Sequence, residues 1–482
     1  MSTVLDTRSF LRWCWRQLTS MRTALILLLL LAVAAIPGSL FPQRSQNPIQ
    51  VKQFFAENPE TAIWLDRLSL FNVFSSPWFS AIYLLLFISL IGCVLPRSIE
   101  HLKAIGAKPP LTPKYLDRME FYTEIKKIDL DKVEKFLRKK HFRIRRDENS
   151  ISAEKGYARE TGNLLFHLSL VLILLAVGIG SLLGSRGDAI VNVGDRFINT
   201  PTSYDILSFG KYQAEDSLPP FSLTVTDFKA EYDPVTNAAI DYELTVLTAN
   251  PAGSKEIKKI IKVNQPLAYG STKIYLQANG YSPIVIVRDK SGKIIFDGPT
   301  PFLPQDANLS SIGAIKIPDM DPQIGFVGSF LPTADRDPIR GGFSSYPEVL
   351  DPRLLVSIWK GDLGLNTGIP QSVYRIDTSK MERIGLKALV LNESYDFGEG
   401  SITFTGWKSW VNLQIVNDPG KGFALVGAIL AILGLLISLF TRQRRIWVKQ
   451  SGKTQVAGLA KNGIPGLEQE IDELVKEMSN ER

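Results

Sequence analysis

The stretch Asn163-Leu-Leu-Phe-His-Leu-Ser-Leu-Val-Leu-Ile-Leu-Leu175 holds one ionisable side chain, His167, in an otherwise apolar run. It continues without a charge to Gly184, which is enough for the ~20 residues a helix needs to cross a hydrocarbon core. Three more blocks read the same way: Thr23–Pro42, Trp78–Leu95 and Lys421–Thr441. The first contains Ala24-Leu-Ile-Leu-Leu-Leu-Leu-Leu-Ala-Val-Ala-Ala-Ile36. A cleaved signal would have an apolar region of ~7–15 residues followed by a small-residue cleavage site. Here Pro37-Gly-Ser-Leu-Phe-Pro42 follows, so the block is expected to stay as an anchor. The expected fold class is an α-helical polytopic membrane protein with four transmembrane helices.

Charge sets the expected orientation. The chain has 482 residues and a net charge of +7, but the excess is not spread as a nucleic-acid surface would need. Arg8, Arg12, Arg16 and Arg22 precede the first block, and residues 96–162 carry 17 basic against 11 acidic side chains. Residues 185–420 carry 22 basic against 27 acidic, and Arg442, Arg444 and Arg445 follow the last block. Basic loops stay in the cytoplasm. The expected layout is therefore a cytoplasmic N-terminus (1–22), span one (23–42), an outer loop (43–77), span two (78–95) and a cytoplasmic segment (96–162). Span three (163–184), a large outer domain (185–420), span four (421–441) and a cytoplasmic tail (442–482) complete it.

The soluble segments have patterns of their own. Glu120–Ile125 alternates, Asp129–Arg138 places Leu130, Val133, Phe136 and Leu137 at helical spacing, and Phe142–Arg146 and Ser150–Ala153 alternate again across a turn. This predicts a small α/β module of β-α-β-β order. Residues 185–420 are expected to be mostly β, with Phe221–Phe228, Ala239–Val246, Ile284–Val287 and Ser401–Thr405 as strands in a sandwich or open barrel. Residues 300–350, rich in Pro, Gly and Asp, read as long loops. In the tail, Leu467, Ile471, Leu474, Val475 and Met478 share one face of an amphipathic helix, a stripe suited to packing on the protein itself, to dimerisation or to binding a partner.

Chemistry is sparse. The two cysteines, Cys14 and Cys93, both fall on the expected cytoplasmic side, where disulfides are rare. The outer domain then has no thiol and cannot itself exchange disulfides. No phosphate-binding glycine loop, nucleophile elbow, paired-His metal motif or c-type haem attachment motif occurs. Of three histidines, His101 and His141 lie in the basic segment and read as solvated surface side chains. His167 is different, because an ionisable group inside a span is costly and points to function. Leu170, Val171, Leu174, Gly178 and Ser181 share its face, leaving room for a flat ligand or another helix. Ala176, Gly180 and Gly184 form a separate small-residue ridge suited to helix packing. A neutral imidazole is a common axial ligand of haem iron, so His167 is the candidate cofactor-binding and metal-ligating residue. A structural, hydrogen-bonding His is the competing reading.

Three stretches together resemble the ResB/CcsB family, the membrane subunit of the System II cytochrome c maturation machinery. They are Lys155-Gly-Tyr-Ala-Arg-Glu-Thr-Gly-Asn-Leu-Leu-Phe-His-Leu-Ser-Leu170, then Val263-Asn-Gln-Pro-Leu-Ala-Tyr269 with Ile274-Tyr-Leu-Gln277, and Asp418-Pro-Gly420 with Arg444-Arg-Ile-Trp-Val448. The order of spans and outer domain matches as well. The resemblance implies a subunit, non-catalytic or co-catalytic, of a cytochrome c synthetase (haem lyase) complex. It would act with a CcsA-type haem-handling membrane protein on apocytochromes c such as cytochrome f and a soluble photosynthetic cytochrome c. Haem b would be held transiently and shared with that partner. The resemblance further implies a thylakoid location, the plasma membrane being the other candidate, with membrane lipids and no nucleic acid as further contacts. The Trp-rich haem-handling motif expected of the partner is absent, Trp407 and Trp410 being the nearest approach. The alternative is a non-haem scaffold that stabilises the partner or holds apocytochrome through its outer domain.

Overall fold

The computed structural model describes residues 7–44, 48–119, 121–337, 341–365, 372–460 and 466–480. It divides into one unit of residues 1–178 with 420–482 and a second of residues 179–419.

Among the described residues four helices are long and apolar enough to cross a membrane: Met21–Leu40, Pro77–Ile105, Ala158–Leu183 and Lys421–Phe440. We read the chain as a multi-pass membrane protein. Ser20 and Ser76 cap the first two, accepting the backbone N–H of Thr23 and Phe79. The second helix runs on well past Leu95 and carries Pro96, Arg97 and His101 with it. The basic and polar residues that follow the apolar block are thus the last turns of the helix. Tyr83 on this helix donates to the Leu174 carbonyl of the third. The third and fourth pack through Gly162, Ser169, Gly427 and Gly434, where side chains are small enough for backbones to meet. Ahead of the first span, Thr7–Leu18 is a separate helix with no buried residue.

The first unit also holds a five-stranded antiparallel sheet, in the order Phe121–Ile125, Lys453–Ala460, Arg444–Ser451, Ser150–Lys155, Arg143–Asp147. The expected strand, helix and two strands occur in that order, but they do not close on themselves. Two tail strands insert between them, so the segment between spans two and three and the tail build one sheet, where the sequence suggested two separate pieces. Glu120, where the first strand was expected to begin, lies outside the described residues. Helix Leu130–Lys139, capped by Asp129, and helix Leu467–Asn480 cover the sheet through Val133, Leu137, Leu467, Ile471 and Leu474 against Ile151, Ile446, Val448 and Val456. The amphipathic stripe of the tail is therefore spent on this core.

The second unit is strand-rich. Its spine is a pair of 18-residue strands, Thr272–Asp289 and Gly400–Asn417, antiparallel along their whole length apart from bulges at Leu276/Ala278 and Ile284/Val285. One half of the pair gives Ile274, Val411, Leu413 and Ile415 to a core with Leu223, Leu244 and Val246 of a four-stranded sheet and with Phe221 just ahead of it. The other half gives Val285, Val287, Ile402 and Phe404 to a core with Ile315, Phe326, Leu354 and Ile358 of a five-stranded sheet. Two cores thus share one strand pair, a more elaborate arrangement than the single sandwich or open barrel expected.

Residues 300–350 are not long loops. They contribute strands Ser311–Ile317, Ile324–Leu331, Ala334–Asp337 and Gly341–Ser344, while 338–340 lie outside the described residues. The glycines that suggest loop are packing devices: a Cβ at Gly313 would run into the Phe302 ring, and one at Gly328 into the Leu355 carbonyl. Trp410 is buried, its indole N–H donating to the carbonyls of Tyr281 and Phe302 at 3.1 Å each, so it is a core anchor.

Candidate functional site

The third span begins at a turn the sequence dictates. Gly156 has φ +84°, and a Cβ there would collide with the Arg442 carbonyl. The Lys155-Gly-Tyr157 stretch thus turns the last strand of the loop into the helix under the foot of span four. Lys155 lies over the Phe142 ring, 5.6 Å from its centroid, a packing position.

Nine residues into the helix stands His167. Its Nδ1 is 2.7 Å from the Asn163 carbonyl oxygen. A carbonyl only accepts, so Nδ1 carries the proton, and in the neutral ring Nε2 keeps the lone pair. Phe166 meets the imidazole edge-on, with ring centroids 5.3 Å apart at 87°. A metal-binding imidazole is set up in this way, the second nitrogen being tied to a carbonyl that fixes tautomer and ring plane.

His167 lines a cavity of about 480 Å³ bounded by spans one, two and three. That volume is in the range of small-molecule and cofactor sites. Its walls are Ala24, Leu25, Leu28 and Leu31 from span one, Leu86, Leu90 and Val94 from span two, and Leu164, Phe166, Leu170, Ile173 and Leu174 from span three. The polar exceptions are Cys93, Arg97, Asn163 and His167. The Cys93 thiol donates to the Thr19 carbonyl at 2.7 Å. An apolar slot with one basic imidazole nitrogen fits an iron porphyrin. Among the described residues no group of three or more His, Cys, Asp or Glu side chains gathers as for a bare metal ion.

The room for a ligand lies beside His167, toward spans one and two. It does not extend along the face to Gly178 and Ser181, neither of which lines the cavity. Of the small-residue ridge, Ala176 is buried, and Gly180 and Gly184 sit against Asp418 and Asn417. His141 is exposed, at φ +64°. His101 is not the solvated side chain its sequence context suggested. It is 7% exposed, stacked on Tyr157 at 5.1 Å, with Nε2 2.9 Å from the Thr161 hydroxyl and Nδ1 3.6 Å from Glu160. Its partners lie some sixty residues downstream, beyond the reach of local pattern.

Together these features define a polytopic membrane protein with a large strand-rich domain and a histidine-bearing cavity among its apolar helices. The chain belongs to the ResB-like family, whose family model matches residues 21–472. It is 23% identical over 476 residues to the cytochrome c biogenesis protein CcsB of Prochlorococcus marinus (strain NATL1A), covering 96% of this chain and 98% of that one. The proteins of the same description from Microcystis aeruginosa and Gloeobacter violaceus are each 25% identical, covering 96% of this chain and 94% and 91% of theirs.

Proposed function

We propose that this chain serves the biogenesis of c-type cytochromes at the step where haem is delivered and attached to apocytochrome, acting with a CcsA-type membrane partner. The observation that carries the reading is His167: an imidazole of fixed tautomer in an apolar cavity of cofactor size. His167 would supply one axial ligand to haem b, and a partner residue the other. The haem is cargo, held in transit and shared.

The proposed topology has both termini and residues 96–162 in the cytoplasm and 185–420 in the thylakoid lumen. Two observations support it. Arginines flank spans one and four on the expected inner side, and strands 150–155 and 444–451 pair in one sheet, so the segments that carry them share a side. The strand-rich domain would then meet apocytochromes such as cytochrome f and a soluble photosynthetic cytochrome c.

The deciding experiment is the absorption spectrum of the chain purified with its partner. A Soret band of six-coordinate haem, lost or shifted in His167→Ala at normal protein levels, supports the reading. A haem-free complex that still matures cytochromes would favour the scaffold alternative. Cysteines placed at the exposed positions Ser217 and Ser291 should label from the lumenal side; labelling only from the cytoplasm would overturn the topology.

A further inference from the structure

Haem is not only an apolar disc: two carboxylates sit on one edge of the macrocycle. A site that merely supplied an axial nitrogen and apolar walls would leave those charges without a counterpart beside hydrocarbon, which is costly. The cavity answers this at one place. Arg97, on the extension of span two past Pro96, is the one Lys or Arg side chain among the residues lining it. Asn163, one helical turn (~6 Å) before His167, lines the same end.

Beyond them lies a second, smaller space of about 230 Å³, which shares Arg97, Asn163 and Leu164 with the first. Its other walls include Glu100 and Glu160. The polarity thus changes in order: apolar walls and imidazole, then a guanidinium with an amide, then two carboxylic side chains. A negatively charged edge entering from the apolar side therefore meets the Arg97 guanidinium before it reaches either carboxylic side chain.

The geometry points to Arg97, assisted by Asn163, as the residue that binds the propionate edge of haem and fixes which way round the macrocycle lies. This rests on the haem reading of His167. A guanidinium can hold a carboxylate through two parallel hydrogen bonds, which a lysine cannot reproduce. Arg159, in the first turn of the third helix, does not line the cavity.

The test uses the full chain purified with its partner, stripped of haem and titrated with iron protoporphyrin IX and, separately, with its dimethyl ester, which has the same macrocycle and no carboxylates. Soret absorbance reports affinity and the axial field together. Wild-type protein should prefer the free acid. Arg97→Gln should weaken the free acid by ~10-fold or more, as expected for loss of a charge-assisted hydrogen bond, while leaving the ester affinity and the Soret position unchanged. Arg97→Lys should fall between. Equal wild-type affinity for acid and ester would overturn the proposal whether or not the variants fold, and so would an Arg97→Gln defect of the same size toward both. If His167→Ala leaves both titrations and the Soret position untouched, the haem reading of His167 fails. That outcome is separate from an Arg97 failure, in which His167→Ala alters the spectrum and Arg97→Gln shows no acid-specific loss.

Discussion

Gly162 of the third span and Gly434 of the fourth meet backbone to backbone. A Cβ on Gly162 would lie 2.7 Å from the Gly434 carbonyl oxygen, and one on Gly434 would lie 2.8 Å from the Gly162 carbonyl oxygen. Nothing there can yield except the helices themselves. Gly162→Leu or Gly434→Leu should therefore push the spans apart and cost about 1–3 kcal/mol, the range for overpacking. Asn163 and His167 follow Gly162 on the same helix, so haem retention should fall too, although neither glycine lines the cavity. Gly422→Ala is the control, since a Cβ there meets nothing within 4 Å. Thermal melting in detergent checks this, and a Gly434→Leu protein that melts with the control would contradict the close packing.

Where span four ends, Glu154 is 3% exposed, and its Oε1 accepts from Gln443 Nε2 at 2.9 Å and from Arg445 Nε and Nη2 at 3.1 and 3.0 Å. Removing the guanidinium would leave a buried carboxylate with its main partner gone, a loss of roughly 3–5 kcal/mol. Arg445→Met should loosen the five-stranded sheet more than Glu154→Gln does, because Gln keeps an acceptor and carries no charge. Amide hydrogen exchange across strands 150–155 and 444–451 is the measurement. Equal protection in the two variants would mean that the charge is not what holds the tail to the loop.

The parts of the fold legible in the sequence are those whose signal is local. An apolar block long enough to span needs no partner to be recognised, and a histidine inside one stands out against its neighbours. What could not be read depends on residues far apart in the chain. Arg444-Arg-Ile-Trp-Val448 reads as a basic membrane flank, yet it is a central strand whose partner at Ser150–Lys155 lies nearly three hundred residues earlier. Gly313 and Gly328 signal turns until Phe302 and Leu355 are seen against them. Arg97 follows a proline at the end of an apolar block, which suggests a stop; the helix instead carries it on to the edge of the cavity. The relevant signal was a basic residue one turn from Cys93 on a face shared with small and apolar side chains.

Glu399 gives the strand-rich domain a defined response to acid. Its carboxylate takes Lys290 and Lys360 at 2.6 Å each, tying both long strands to the end of strand Arg353–Lys360. Hydrogen bonds from these two lysines hold its pKa down at about 2 from an ordinary 4.5, with Glu382 near Lys360 as the further charge in the cluster. A depressed carboxylate stabilises the fold above its unfolded pKa and loses that contribution as pH falls toward the folded one. Glu399→Gln should therefore lower the melting midpoint by a few degrees at pH 7, and the gap from wild type should close between about pH 4.5 and 2. A gap unchanged over that window would assign the loss to packing instead of charge.

His167 carries the functional reading, and its substitutions can be ranked in advance. A ligand needs a donor atom with a lone pair directed at iron. A structural histidine needs only its hydrogen bond to the Asn163 carbonyl at 2.7 Å. His167→Ala should leave the protein inserted, because the side chain is half-buried at a cavity wall and its loss leaves the apolar run of the span intact. Cytochrome c maturation should nevertheless stop. Cys and Tyr can ligate haem iron and should keep some activity with a changed Soret band. Asn and Gln can donate to the Asn163 carbonyl but are poor ligands, so they should behave like Ala. Free imidazole added to His167→Ala should restore part of the native spectrum by occupying the space left beside Phe166. The Cys and Asn variants separate the two readings most cleanly. Maturation that survives in Asn and fails in Cys would identify a structural histidine and move the weight to the scaffold alternative, in which the spans anchor the chain and the strand-rich domain does the binding.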